Sequence, residues 1–214
     1  MKEMINVVIA DDHTMVRHGL REILNSEDDI NIVAEASDGH GVIDAVRSNP
    51  VDVVVLDITM PGKNGLDTLK ELRRTRPEIA VIILSMHSGE QYGVRVIKAG
   101  AAGYITKESA PDELVAAIRK ARRGERYIGA EMAELLANYI ERGTGDEEPH
   151  KLLSDREFEV LRYIASGRGL TEISRLMNLS VKTVSTYRTR IVEKTGLASN
   201  SDMTRYAIQH SLLQ

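Results

Sequence analysis

The 214-residue sequence predicts a doubly wound α/β fold with a five-stranded parallel sheet in its first 125 residues, followed by a small all-α domain. Two observations predict this division. Up to about residue 125, short apolar runs alternate with helical patterns, which is typical of parallel strands joined by crossover helices. From residue 152 onward the patterns are helical alone. A chain of this length accommodates two domains of ordinary size.

The apolar runs of the first part are nearly continuous in Val, Ile and Leu, as expected of strands covered on both faces. They span residues 5–10, 32–36, 51–56, 80–84 and 103–105. The segments between them carry apolar residues three or four positions apart, which predicts helices with one buried face. These helices span residues 15–24, 41–46, 66–74, 92–99 and 113–121.

Residues 126–150 are interpreted as a linker with one helix, at 131–140, because residues 143–149 contain glycine, proline and acidic residues and nothing apolar. We therefore divide the chain into domains at 1–125 and 151–214. The second domain has helical patterns at 155–165, 170–177, 181–195 and 201–210. Ser154 and Glu157 form a capping box, and the short link 178–180, with Ser180 as a cap, predicts a helix-turn-helix.

The amino-acid composition limits the kinds of site and the cellular compartment that are expected for this chain. The absence of cysteine excludes disulfides, thiolate zinc sites and cysteine nucleophiles. No stretch reaches the roughly 18 apolar residues of a membrane helix, and the N-terminus does not resemble a signal peptide, so we expect a cytoplasmic protein with no membrane partner. Residues 150–214 carry ten Lys/Arg against six Asp/Glu, which favours a polyanionic partner but is also compatible with ordinary scatter.

Polar residues follow the predicted strands where the carboxyl ends of a parallel sheet bind ligands. Asp11 and Asp12 follow the first strand, Asp57 the third, Ser85 the fourth and Lys107 the fifth. Three carboxylates that gather together need a hard cation, and oxygen ligands suit Mg²⁺. A carboxylate beside this cation and an ammonium can attack phosphorus to form an aspartyl phosphate. Any single aspartate could instead cap a helix.

Four blocks, IADDH (9–13), VVLDITMPGKNG (54–65), ILSMH (83–87) and GYITK (103–107), resemble the receiver domain of two-component regulators, which has a flavodoxin-like fold. The resemblance implies that Asp57 accepts a phosphoryl group from a sensor histidine kinase. It also implies roles for the following residues: Asp11, Asp12, Asp57 and the Thr59 carbonyl hold Mg²⁺; Lys107 and Ser85 contact the phosphoryl oxygens; Tyr104 is the switch aromatic; and Thr59, Met86 and His87 modulate phosphoryl lifetime.

Two of these roles have simpler alternatives. On spacing alone, Tyr104 could be a surface tyrosine packed on a helix, and His87 a lone solvated histidine. His13 and His18 form no metal-ligand set with neighbouring residues in the predicted strands and helices, and we assign them no role.

The segment 153–212 resembles the LuxR-type helix-turn-helix, and the whole chain resembles the NarL/FixJ subfamily of response regulators. Helical spacing places Val184, Tyr187 and Ile191 toward the core. The opposite face of the helix fits the DNA major groove, although a polar helix face is often merely solvated. The candidate DNA contacts are Lys182, Thr183, Thr186 and Arg190 for base edges, and Arg188 and Lys194 for phosphates.

The sequence is therefore interpreted as a response regulator and transcription factor, not an enzyme beyond slow self-catalysed phosphoryl transfer and dephosphorylation. We expect a homodimer on DNA or when phosphorylated, with candidate contacts in the helix at 201–210 and in the first and fifth receiver helices. Two alternatives remain. The first 125 residues could be a metal-dependent phosphatase-like enzyme, or the chain could bind DNA or protein constitutively without taking phosphate.

Overall fold

The computed structural model describes residues 4–86, 92–129, 132–137 and 148–213. The chain forms two compact units, Met1–Tyr139 and Ile140–Gln214. His87, both ends of the helix expected at 131–140 and most of the expected linker at 143–149 lie outside the described residues. None of the described helices is both long and apolar enough to cross a bilayer.

The first unit is built on a parallel sheet with the strand order β2-β1-β3-β4-β5-β6. The residues of β3 are buried along its whole length, and the central strands β1 and β4 are nearly as apolar because helices cover both faces of the sheet. The strands are β1 (Ile5–Ala10), β2 (Ile30–Ala36), β3 (Val53–Asp57), β4 (Ala80–Ser85), β5 (Gly103–Thr106) and β6 (Tyr127–Ile128).

The sixth strand corrects the expected count of five. Tyr127 and Ile128, which the sequence places in a linker, pair with Gly103 and Tyr104 of β5. A two-residue strand is too short to show a periodic pattern, so the sequence carries no signal for it. Gly103 allows the close pairing, since a Cβ at that position would lie 3.1 Å from the Tyr127 carbonyl oxygen.

Five helices connect the strands, within about three residues of the expected bounds. Two of them begin at a capping side chain: Asp38 accepts the backbone N–H groups of His40 and Gly41, and Asn64 accepts that of Asp67. The helices are α1 (Thr14–Asn25), α2 (Gly39–Ser48), α3 (Gly65–Thr75), α4 (Gly93–Lys98) and α5 (Ala110–Arg122). Residues 132–137 are also helical.

The second unit is helical around the buried ring of Phe158. The expected capping box is confirmed, because Ser154 accepts from the Glu157 amide and Glu157 accepts from the Ser154 amide. Ser180 caps the helix after the short turn, as expected. The elements are a 3₁₀ helix (Pro149–Leu152), α6 (Asp155–Ala165), α7 (Leu170–Leu176), α8 (Val181–Thr195) and α9 (Asn200–Gln209).

Candidate functional site

The polar residues predicted at the strand ends meet at the carboxyl edge of the sheet. Asp11 follows β1, Asp57 ends β3 and Ser85 ends β4, and all three are buried. The Ser85 carbonyl accepts the Lys107 amide at 2.7 Å, which ties the loop after β5 to the end of β4. Parallel pairing therefore brings residues up to 96 positions apart into one pocket.

Asp11 and Asp57 are held in the same way. In each residue Oδ1 accepts the backbone N–H two residues ahead, from His13 at 2.8 Å and from Thr59 at 3.2 Å. This local turn is one that aspartate favours after a strand. The turn leaves the second oxygen, Oδ2, of each carboxylate pointing into the pocket.

Lys107 lies between the two carboxylates. Its Nζ is 2.6 Å from Asp11 Oδ2 and 3.0 Å from Asp57 Oδ2, and little of its side chain reaches solvent. Both Oδ2 atoms are buried and make no aligned hydrogen bond among the described residues, so the ammonium is their ion-pair partner. One positive charge thus faces two buried negative charges, so that the pocket carries a net negative charge.

The electrostatics of the pocket follow from this imbalance. Burial raises the pKa of Asp57 from 3.8 to about 6, against the lowering effect of Lys107, and the charge of Asp11 adds to the rise. Burial acts to lower the pKa of Lys107, but its close contacts with the Asp11 and Asp57 carboxylates outweigh burial and raise it. Lys107 is therefore a cation at neutral pH, while Asp57 is an acid whose ionisation would gain from added positive charge.

The loop after Asp57 packs tightly against it. A Cβ on Gly65 would overlap the Asp57 carbonyl oxygen and lie 2.7 Å from Ile58 Cα. The Gly65 amide donates to the Ile58 carbonyl at 3.1 Å, and Gly62 turns the chain with a φ of 70°. The glycines that the sequence placed in this loop thus let it fold back over the end of β3.

The carboxylates of Asp11, Asp12 and Asp57 also meet His13, with one potential ligand atom of each within 4.8 Å of the others. His13 Nδ1 lies 2.8 Å from Asp12 Oδ1. The expectation that His13 belongs to no such set was wrong, because it considered strand and helix neighbours and not the loop in which the histidine lies. Arg17, also missed, donates to the Asp11 carbonyl at 2.6 Å and fixes the same loop.

The other residues expected near the pocket differ in exposure. Tyr104 is only 4% exposed, which excludes the surface-tyrosine alternative. Met86 is largely exposed, Thr59 is exposed, and His87 lies outside the described residues. Thr59 contacts Asp57 through its amide.

In the second unit, α8 has one buried and one exposed face. Val184 and Ile191 are fully buried, as expected, whereas Tyr187 is partly buried. Lys182, Thr186 and Arg190 are exposed on the opposite side, and Thr183 is partly exposed. The hydroxyl of Thr186 donates to the Lys182 carbonyl at 3.0 Å.

Both of the expected phosphate contacts have partners within the domain. Arg188 Nε donates to Asn200 Oδ1 at 3.0 Å. Lys194 Nζ donates to Glu157 Oε2 at 2.6 Å, although Glu157 is 2% exposed. Burial acts to raise the pKa of Glu157, but hydrogen bonds from Lys194 and Ser154 outweigh burial and lower it. Lys194 therefore neutralises a buried carboxylate, a role for which the sequence carried no signal.

Comparisons with known proteins match both units. Residues 7–119 match the model of the response regulator receiver domain, and residues 151–207 match that of the LuxR family of bacterial regulatory proteins. The response regulator UvrY of Escherichia coli K12 is 39% identical over 98% of this chain and 96% of its own length.

Solved structures of the response regulator RcsB are also similar. A structure of RcsB from Salmonella typhimurium has 28% identity and a TM-score of 0.75, over 97% of this chain and 98% of that one. A second, from Salmonella enterica serovar Typhimurium, bound to the promoter rprA in the presence of the phosphomimetic BeF₃⁻, has 29% identity and a TM-score of 0.70. It covers 95% of this chain and 98% of that one.

Proposed function

We propose that Asp57 is the phosphoryl acceptor of this chain. The chain belongs to the response regulators that join a receiver domain to a LuxR-type DNA-binding domain. Regulators of this family are phosphoacceptor transcription factors and not conventional enzymes. The observation that carries the proposal is the contact of Lys107 with both Asp57 and Asp11 in a buried pocket.

In the proposed reaction, a carboxylate oxygen of Asp57 forms a bond to the phosphorus of a kinase phosphohistidine while the bond from phosphorus to the imidazole nitrogen breaks. The leaving imidazole takes up a proton. Lys107 would pair with the phosphoryl oxygens as it now pairs with the carboxylates, which would stabilise charge in the transition state. Ser85, buried at the end of β4, would donate to another phosphoryl oxygen, and Tyr104 would respond to its movement.

Mg²⁺ fits this pocket. Asp11 and Asp57 carry buried oxygens that lack an aligned hydrogen bond, and the Asp12 carboxylate is near both. These three residues and the Thr59 carbonyl would hold the ion, because Mg²⁺ prefers oxygen ligands. When bound, Mg²⁺ would supply the missing positive charge and orient the phosphoryl group. His13 offers nitrogen, so we assign it to the positioning of Asp12.

Phosphorylation would then control DNA binding by α8. We propose that Lys182, Thr183, Thr186 and Arg190 contact base edges and that Arg188 contacts phosphate, as their exposure on α8 allows. Lys194 would mainly hold Glu157. We further propose a sensor histidine kinase and double-stranded DNA as partners and a homodimer on DNA, and we extend the receiver domain beyond residue 125 to include β6.

The test is phosphate incorporation from a small phosphodonor, followed by intact-protein mass spectrometry. Wild-type protein should gain one phosphoryl group in Mg²⁺ and Asp57→Ala none, while Asp44→Asn, which alters an exposed carboxylate on α2, should behave as wild type. Full incorporation into Asp57→Ala would refute the acceptor assignment. Steady turnover of an added phosphoester at about 1 per second or faster would instead favour the phosphatase-like alternative.

DNA binding is tested with operator sequences selected from random DNA by the phosphorylated protein. Phosphorylation should raise affinity for them, and the spacing of selected half-sites should reveal a dimer. Equal affinity with and without phosphate would favour the constitutive alternative.

A further inference from the structure

A second cluster of titratable side chains lies in the DNA-binding unit and has no part in the proposed function. Glu148 and His150 stand at the beginning of the unit, in and just before the 3₁₀ helix. His210 follows the last residue of α9. The fold brings these residues together over about 60 positions of sequence, and one potential ligand atom of each lies within 4.8 Å of the others.

The Glu148 carboxylate faces one histidine with each oxygen. Oε1 is 3.3 Å from His210 Nδ1, and Oε2 is 3.7 Å from His150 Nε2. Both distances exceed the roughly 2.7–2.9 Å of a charge-assisted hydrogen bond. They match the separation of about 3.3 Å between ligands that each lie roughly 2.0–2.1 Å from a tetrahedral metal ion.

The orientation of His150 is fixed by its other ring nitrogen. His150 Nδ1 is 2.9 Å from the Tyr206 hydroxyl, and the His150 amide donates to the same oxygen at 3.4 Å. In the tautomer that carries its proton on Nδ1, both groups donate to the hydroxyl and the lone pair of Nε2 faces Glu148. A histidine ligand held by a hydrogen bond at its second nitrogen is the usual arrangement in metal sites.

The surroundings keep the three groups in place. The His150 side chain is only 12% exposed, and the His210 ring packs on the Tyr206 ring with centroids 4.2 Å apart. Lys151 also contacts the Glu148 carboxylate. Lys151 Nζ lies 3.0 Å from Oε2, and a bound cation would compete with this exchangeable ion pair.

We propose that Glu148, His150 and His210 form a binding site for a divalent transition-metal ion such as Zn²⁺. Two imidazole nitrogens and one carboxylate favour such an ion over Mg²⁺ or Ca²⁺, which prefer oxygen alone. Water would complete the coordination. The ion would join the segment that leads into the DNA-binding unit to the end of its last helix.

The experiment is calorimetric titration of the full chain with Zn²⁺ in excess Mg²⁺, which occupies oxygen-only sites. Wild-type protein should bind one Zn²⁺ that His210→Gln and Glu148→Gln each weaken by more than about tenfold. Tyr206→Phe should weaken binding by about 10- to 100-fold, because the hydroxyl orients His150. His18→Gln is the control and should retain wild-type binding, and His13→Gln tests whether the ion binds in the receiver pocket instead.

The proposal would be overturned if wild type did not bind Zn²⁺, or if His210→Gln and Glu148→Gln both bound Zn²⁺ with the affinity of wild type. Loss of binding in His13→Gln would also overturn it, by placing the ion in the receiver pocket. Far-UV circular dichroism checks the fold of each variant, and the absorption spectrum of added Co²⁺ reports nitrogen ligation independently of heat. None of these measurements depends on phosphorylation of Asp57, so the two proposals can fail separately.

Discussion

The acidic pocket and the exposed face of α8 are both charged surfaces, but they are built in opposite ways. In the pocket, Asp11, Asp57 and Lys107 come from the carboxyl ends of three different strands and are almost fully buried. On α8, Lys182 and Arg190 come from one helix and are exposed. Charges interact more strongly away from water. One substitution in the pocket should therefore have a large effect on phosphorylation, whereas each contact of α8 should contribute a smaller and separable part of the DNA affinity.

The largest effect is expected for Lys107→Ala. Removal of the ammonium leaves the Asp11 and Asp57 carboxylates facing each other and withdraws a charge from the transferring phosphoryl group. We expect the rate of phosphorylation by a small phosphodonor to fall by about 100- to 1000-fold. Lys120→Ala, at an exposed position of α5, is the control. A fall of less than threefold for Lys107→Ala would show that the contact is not catalytic.

A smaller effect is expected for Arg190→Ala on α8. Affinity for a selected operator should fall by about 10- to 100-fold, and if the side chain reads a base, discrimination at one position should relax. Fluorescence anisotropy with single-base operator variants measures both quantities. Arg47→Ala, which removes an exposed arginine on α2 of the receiver unit, should leave affinity within about twofold of wild type; an equal loss there would mean that the effect is not specific to α8.

The stability of the receiver unit should depend on pH through Asp57. Folding raises the pKa of Asp57 from 3.8 to about 6, so the folded state binds the proton more tightly and stability falls as pH rises through this window. Without Mg²⁺ near neutral pH, Asp57→Asn should therefore raise the free energy of unfolding by about 1–3 kcal/mol. The gain should vanish below about pH 4, where both states are protonated.

Urea denaturation across this pH range measures the effect. Added Mg²⁺ should stabilise wild type and narrow the gap to Asp57→Asn, while Asp44→Asn should follow wild type throughout. A variant less stable than wild type at neutral pH would contradict the charge imbalance assigned to the pocket.

The smallest effect is expected for Lys194→Ala, and it separates two roles for this residue. Loss of the partner of buried Glu157 should lower the free energy of unfolding by about 1 kcal/mol. The dependence of DNA affinity on salt should stay unchanged if Lys194 is structural, whereas a phosphate contact would reduce its logarithmic slope by about 1. Glu157→Gln should lower stability without changing that slope.

Much of the fold could be predicted because it depends on local patterns. The strands β1 to β5 and the helices of both units follow from the period of apolar residues, and the capping residues Ser154 and Ser180 mark helix starts by their chemistry. The edge strand β6 could not be predicted, since two residues carry no period and their pairing depends on the exposed edge of β5.

The sequence by itself determined which side chains stand at the carboxyl ends of the strands and which face of α8 is polar, because parallel strands and helices place residues by a fixed period. The tertiary structure alone decided how the charges are paired. It positioned Lys107 between two carboxylates, paired Lys194 with Glu157 and brought Glu148, His150 and His210 close together. These contacts join residues far apart in the chain, and their distances follow from packing, which no local pattern records.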